Sequence, residues 1–183
     1  MKPENKNLLY VGNAFPHKNL ERLIQAFKIV LNQKPNLNLV LVGEIDYFYQ
    51  RLQKMVKKMG LEDKVIFTGR ISPQELTNQY KNSLAYVFPS LTEGFGLPGL
   101  EAMAENLPVV CSKANPLPEI YGPAALYFDP ENIQEIAKTI LKIVSDENLR
   151  QDLKTKGKIQ VEKYSWQKCA QQTLKVYQDV LNL

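Results

Sequence analysis

A chain of 183 residues with 44% apolar side chains suits one globular domain with a sizeable core. Its net charge of +4, from 23 basic and 19 acidic residues, is too small and too scattered to point to nucleic acid. The polar opening Met1 to Asn7 does not read as a secretory leader, and no run approaches the roughly 20 apolar residues of a membrane span, so the expected location is the cytoplasm.

The elements then alternate along the chain. Leu8 to Val11 is a short apolar run ending at Gly12, and Leu20, Leu23, Ile24, Phe27, Val30 and Leu31 follow at helical spacing. Leu37 to Val42 is a second strand ending at Gly43. Phe48, Leu52, Met55, Val56 and Met59 repeat the helical period up to a stop at Gly60. Val65 to Thr68 is β-rich and ends at Gly69. Ser72-Pro73-Gln74-Glu75 is a capping box with proline at the first helical position. Leu84 to Phe88 is another strand, Pro98 to Glu105 a short helix, and Pro108 to Cys111 and Ala124 to Phe128 two further strands. Beyond Asp129-Pro130 only helices are expected: Ile133 to Val144, a second capped by Asp146 and running towards Tyr164, and a third capped by Ser165. Short strands, apolar on both faces and separated by helices, predict an α/β fold. The expected form is a Rossmann-like, doubly wound parallel sheet of about six strands with C-terminal helices, binding ligands at the carboxyl ends of its strands.

Two cysteines, Cys111 and Cys169, fit no zinc or redox spacing, and both are expected as small buried residues. The single histidine, His17, cannot build a metal site alone, so no bound metal is expected. The apolar stripe that begins at Trp166 reads as packing rather than as a site.

The chemistry is concentrated in Ser90-Leu91-Thr92-Glu93-Gly94-Phe95-Gly96-Leu97-Pro98-Gly99-Leu100-Glu101, between a strand and a helix opening near Pro98. Gly94 and Gly96 allow positive φ and close approach of a ligand to the backbone. The amides of Phe95, Gly96 and Leu97 at a helix start suit a phosphate, and Pro98 at the first helical position wastes no donor. Glu93 in the loop and Glu101 in the first turn each offer a planar pair of acceptors that matches a vicinal diol. The plain alternatives are a favourable charge near a helix start for Glu101 and a solvated loop residue for Glu93.

This run resembles the E-x7-E signature of family 4 retaining glycosyltransferases, whose architecture is the two-domain GT-B fold. Three segments agree with the resemblance: Leu9 to Gly12 with His17-Lys18-Asn19, Val65 to Gly69, and Leu117-Pro118-Glu119 with Ala124 to Pro130. The resemblance implies that residues 1–183 form the nucleotide-sugar-binding C-terminal domain. It implies catalytic roles for Glu93, which would bond the donor sugar, and for Lys18, which would neutralise the diphosphate as it leaves. Gly94, Phe95, Gly96 and Leu97 would meet the sugar and phosphates, Glu101 the ribose, Gly12 and Asn13 the phosphate loop, and Gly69, Arg70 and Ile71 the base. The substrate would be a GDP- or UDP-linked sugar, transferred with retention and without a cofactor or metal ion. A solvated charge remains the plain reading of Lys18 and Arg70, and a local structural role that of His17.

Two departures stand out. Asn13 occupies a position where many family members carry an arginine, which predicts weaker donor binding. The resemblance also covers only the C-terminal half of a GT-B enzyme, so the acceptor-binding N-terminal domain is expected from a longer protein or a partner subunit. Membrane-peripheral placement of the full-length enzyme is left open, and no feature of this sequence points to it. The last helix commonly crosses to that other domain in this fold, so its apolar face is expected to be partly exposed and to promote self-association. A non-catalytic nucleotide-sugar-binding subunit is the alternative. A dinucleotide-dependent oxidoreductase fits poorly, because Gly12 to His17 lacks the G-x-G-x-x-G pattern.

Overall fold

The computed structural model of the chain describes residues 7–181. Six strands form one sheet: β1 Asn7–Val11, β2 Asn38–Val42, β3 Val65–Gly69, β4 Ala85–Phe88, β5 Val109–Ser112 and β6 Ala125–Phe128. Their order is β3-β2-β1-β4-β5-β6, and every neighbouring pair is parallel. The helices are α1 Leu20–Leu31, α2 Tyr47–Lys58, α3 Pro73–Asn82, α4 Leu97–Ala104, α5 Leu117–Tyr121, α6 Ile133–Ser145, α7 Glu147–Val161 and α8 Trp166–Leu181. This is the doubly wound α/β arrangement that the alternating pattern predicts.

The sequence explains the layering. All residues of β4 and β5 are buried, as is the centre of β1, because helices cover both faces of the sheet there. β3 lies at an edge, and its Ile66 is accordingly exposed. Helix α1 turns Leu20, Leu23, Ile24, Phe27 and Val30 inward at the expected spacing and packs beside α6, which buries Ile136, Ala137, Ile140 and Ile143. Burying each of these leucine, isoleucine, valine and phenylalanine side chains contributes about 1.5–3 kcal/mol. The helix starts follow their caps. Asp46, Asn132 and Asp146 each accept an amide hydrogen bond from the first turn of α2, α6 and α7, and the Ser72–Glu75 capping box is complete. Ser165 likewise accepts from the amide of Lys168, and Gly60, just past α2, takes a left-handed φ of 67°.

Several expectations need correction. Helix α4 begins at Leu97, which puts Pro98 second rather than first and Glu101 fifth, beyond the first turn. The short helix α5, with its two prolines at or beside the start, escaped the periodicity because five residues are too few to show a 3.6-residue repeat. Cys111 is buried as expected, but Cys169 is exposed. The stripe from Trp166 is not packing: no residue of α8 is buried among the described residues, and Trp166 itself is 78% exposed.

Candidate functional site

The strand order reverses between β1 and β4, and a doubly wound sheet binds ligands in the crevice outside the carboxyl ends of such a pair. The loops leaving these two strands are stitched together. After β1 the chain makes a 3-10 turn over Pro16–Lys18 and then a left-handed step at Asn19, with φ 60°. The buried Asn19 side chain donates to the carbonyls of Pro89, at 3.0 Å, and Pro130, at 2.7 Å. The Leu91 amide donates to the His17 carbonyl at 2.7 Å. His17 therefore has a structural backbone role, and its ring lies 6.2 Å from that of Phe15.

This stitching brings Lys18 and Glu93 together across 75 positions of sequence, with Nζ 2.6 Å from Oε1. Their side chains are only 14% and 10% exposed, so the pair is shielded from water and competing ions far better than a surface bridge. The ammonium also lies 5.5 Å from the centroid of the buried Phe88 ring, whose face attracts it. Removing either partner leaves the other half-desolvated and unpaired, the costly case for an ion pair.

Beyond Glu93 the two glycines differ. Gly96 has φ 90° and caps α4 in a left-handed conformation, whereas Gly94 has no positive φ and faces open space. The expectation of positive φ therefore holds for Gly96 and not for Gly94. Tyr121, at the end of α5, donates its hydroxyl to the Gly96 carbonyl and lies where a Cβ at Gly96 or Gly99 would collide with it. Phe95 and Leu97 are 39% and 44% exposed, and the Phe95 ring meets Tyr164 edge-on at 5.5 Å. Tyr164 in turn donates to the Ile120 carbonyl of α5. The Glu101 carboxylate accepts the Tyr80 hydroxyl at 3.0 Å. Burial, reinforced by the Glu101 charge, pushes the Tyr80 pKa well up, so this hydroxyl stays a donor.

At the end of β1 the carbonyls of Gly12 and Asn13 turn into the protein, where they accept from the hydroxyls of Tyr49, at 2.8 Å, and Tyr10, at 2.7 Å. The Asn13 side chain accepts from the Phe15 amide. At the far edge, Gly69 takes φ 73°, Ile71 packs half-buried against the core, and Arg70 pairs with Glu44 at 2.5 Å. That pair is highly exposed and lies at the ends of β2 and β3. Arg70 thus pairs with Glu44 on that edge and takes no part in the Lys18–Glu93 pair.

The geometry groups the signature residues on one loop and one helix and joins Glu93 to Lys18. The supporting side chains Tyr10, Tyr49, Tyr80 and Tyr121 were not legible as such, because tyrosine in an apolar pattern reads simply as core. Nine tyrosines in one domain were the one available signal, since a buried hydroxyl needs a partner. Among the described residues no cluster of His, Cys, Asp and Glu is arranged to hold a metal ion.

An all-parallel sheet of this order, with a shielded ion pair and a glycine-broken helix start at its switch point, defines a Rossmann-like α/β domain. Residues 1–160 match the family described as Glycosyl transferases group 1, and the chain belongs to that family. It is 34% identical over 170 residues to O-antigen chain mannosyltransferase B of Escherichia coli, covering 92% of this chain and 45% of that protein. It is 40% identical over 133 residues to O-antigen chain mannosyltransferase RfbU of Salmonella typhimurium, covering 72% of this chain and 36% of that one. The C-terminal domain of a glycosyl transferase group 1 family protein, LpcC, from Francisella tularensis superimposes with a TM-score of 0.74 at 30% identity, over 86% of this chain and 84% of that one. The chain thus spans less than half the length of these two curated relatives and has the fold of a GT-B C-terminal domain.

Proposed function

We propose that this chain is the donor-binding domain of a retaining glycosyltransferase, holding a nucleoside-diphosphate sugar for transfer to an acceptor presented by another domain or subunit. The shielded Lys18–Glu93 pair at the switch point carries the reading. One ammonium and one carboxylate held together are what a donor needs at the bond that breaks: a cation for the diphosphate oxygens and an acceptor for sugar hydroxyls. As the glycosyl bond to the diphosphate lengthens, negative charge grows on the leaving oxygen, and a fixed cation there lowers the barrier. The amides of Phe95, Gly96 and Leu97 line the turn between Glu93 and α4, Glu101 suits the ribose diol, and Gly69, Arg70 and Ile71 the base. The relatives' names point to mannose as the transferred sugar and to polysaccharide synthesis; the leaving group in this proposal is GDP or UDP. No metal ion or cofactor enters this scheme, and the expected location is cytoplasmic or peripheral to the membrane. No helix among the described residues is long and apolar enough to cross a membrane.

Calorimetry with a nucleoside diphosphate and its sugar-linked form, on Lys18→Ala and Glu93→Gln variants, tests the division of labour. Lys18→Ala weakens both ligands by roughly tenfold or more, while Glu93→Gln weakens the sugar-linked form selectively. Equal, small effects of both variants on both ligands would overturn it.

A further inference from the structure

The carbonyls of three consecutive residues at the end of β1 are each taken by a tyrosine hydroxyl from within the fold. Tyr86 donates to Val11 at 3.3 Å, Tyr49 to Gly12 at 2.8 Å and Tyr10 to Asn13 at 2.7 Å. All three tyrosines have no side-chain exposure to speak of, at 0%. Burial, before any neighbouring charge, pushes their pKa values up, so they remain protonated donors.

The glycines around them make the arrangement possible. A Cβ at Gly43 would collide with the Gly12 carbonyl and the Tyr49 hydroxyl, and one at Gly12 would stand 2.8 Å from the Tyr10 hydroxyl. Gly12 itself has φ 151°.

A trans peptide is planar, so each carbonyl points opposite to the amide of the next residue. Fixing the Val11 carbonyl inward sends the Gly12 amide the other way, where it bonds Val42 at 2.9 Å. Fixing the carbonyls of Gly12 and Asn13 likewise turns the amides of Asn13 and Ala14 away from the tyrosines. Among the described residues neither amide has a hydrogen-bond partner.

We infer that Tyr10 and Tyr49 are positioning residues that hold the Asn13 and Ala14 amides as a pair of donors for the diphosphate. This deepens the donor-binding reading and rests on it. The two amides supply charge stabilisation at the place where the side chain is an uncharged asparagine, and two hydroxyls keep their dipoles from turning over. Neither tyrosine touches the ligand.

The pairing of carbonyls with amides gives the test its control. Tyr86 holds a carbonyl whose opposite amide is already used within the sheet, so its hydroxyl has no bearing on the anion. Tyr10→Phe, Tyr49→Phe and Tyr86→Phe keep the rings and remove one hydroxyl each. For each variant, thermal unfolding is measured, and calorimetry compares the affinity for a nucleoside diphosphate with that for the corresponding nucleoside. Tyr10→Phe and Tyr49→Phe are expected to lower diphosphate affinity roughly three- to tenfold while leaving nucleoside affinity unchanged, and Tyr86→Phe to change neither. A loss common to all three, or one that tracks thermal stability alone, would reduce the hydroxyls to structural groups and overturn the inference. Unweakened diphosphate binding by the Tyr10 and Tyr49 variants would overturn it while leaving the donor-binding reading intact. Failure of the parent chain to bind any nucleoside diphosphate would overturn both.

Discussion

The residues that shape the site do so largely through contacts that allow no extra atom. Gly99 lies in α4 directly under the Tyr121 ring, and Gly96 combines the same crowding with a φ of 90°. Gly99→Ala is therefore expected to destabilise the domain by about 1–3 kcal/mol in urea denaturation, through overpacking. Gly96→Ala should cost more, since it adds backbone strain. Replacing Tyr121 by Phe in the Gly99→Ala background should recover part of the loss, because the hydroxyl oxygen is the atom nearest the added methyl. A neutral Gly99→Ala would show that α5 yields freely and does not fix the Gly96 carbonyl. On the other side of α4, Tyr80→Phe removes the hydroxyl that aims Glu101. It should weaken nucleotide binding by less than Glu101→Ala does, since the carboxylate remains and only its orientation is freed.

At the scale of elements, α8 is the part that this domain does least to hold. Not one of its residues is buried, although Leu174, Val176, Tyr177, Val180 and Leu181 lie along it. Ending the chain after Ser165 should thus leave the thermal midpoint within about 2 °C of the parent, whereas removing α6 would take away the buried Ile136, Ile140 and Ile143. A collapse of the midpoint would mean that α8 packs on the core after all. Thiol labelling gives an independent reading. Cys169 on α8 is exposed and should react at once with a thiol reagent, while Cys111 in β5 is buried with its pKa pushed up by burial and should react only on unfolding. Two fast thiols, or none, would contradict this arrangement. The same elements show where the sequence was legible. Period and caps placed β1 to β6 and the long helices, because a stripe at 3.6-residue spacing and a Ser or Asp cap are local properties. Helix α5 is too short for a period. The fate of the α8 stripe is not local: an amphipathic pattern says that a face is to be covered, not what covers it. That is why Cys169 was placed in a core and the structure places it outside.

For the molecule as a whole, the signature around Glu93 and Glu101 was legible because its residues are contiguous. Lys18 was legible only by resemblance and its pairing with Glu93 not at all, since the two lie 75 positions apart and meet through the loop stitching of Asn19 and His17. Arg70, expected near the base, pairs with Glu44 on an exposed edge, a partner that no sequence pattern singled out. One shielded cation, a glycine-broken helix start and a tyrosine-supported backbone turn follow the carboxyl ends of β1 and β4, the switch point of the sheet. The proposed function requires that this site bind a nucleoside diphosphate. The most direct measurement is a calorimetric titration of the purified chain with UDP, GDP, ADP and NAD, beside a Glu101→Ala variant. The expected result is preferential binding of one nucleoside diphosphate, weakened roughly tenfold by the substitution. Binding of NAD alone, or diphosphate binding indifferent to Glu101, would contradict it.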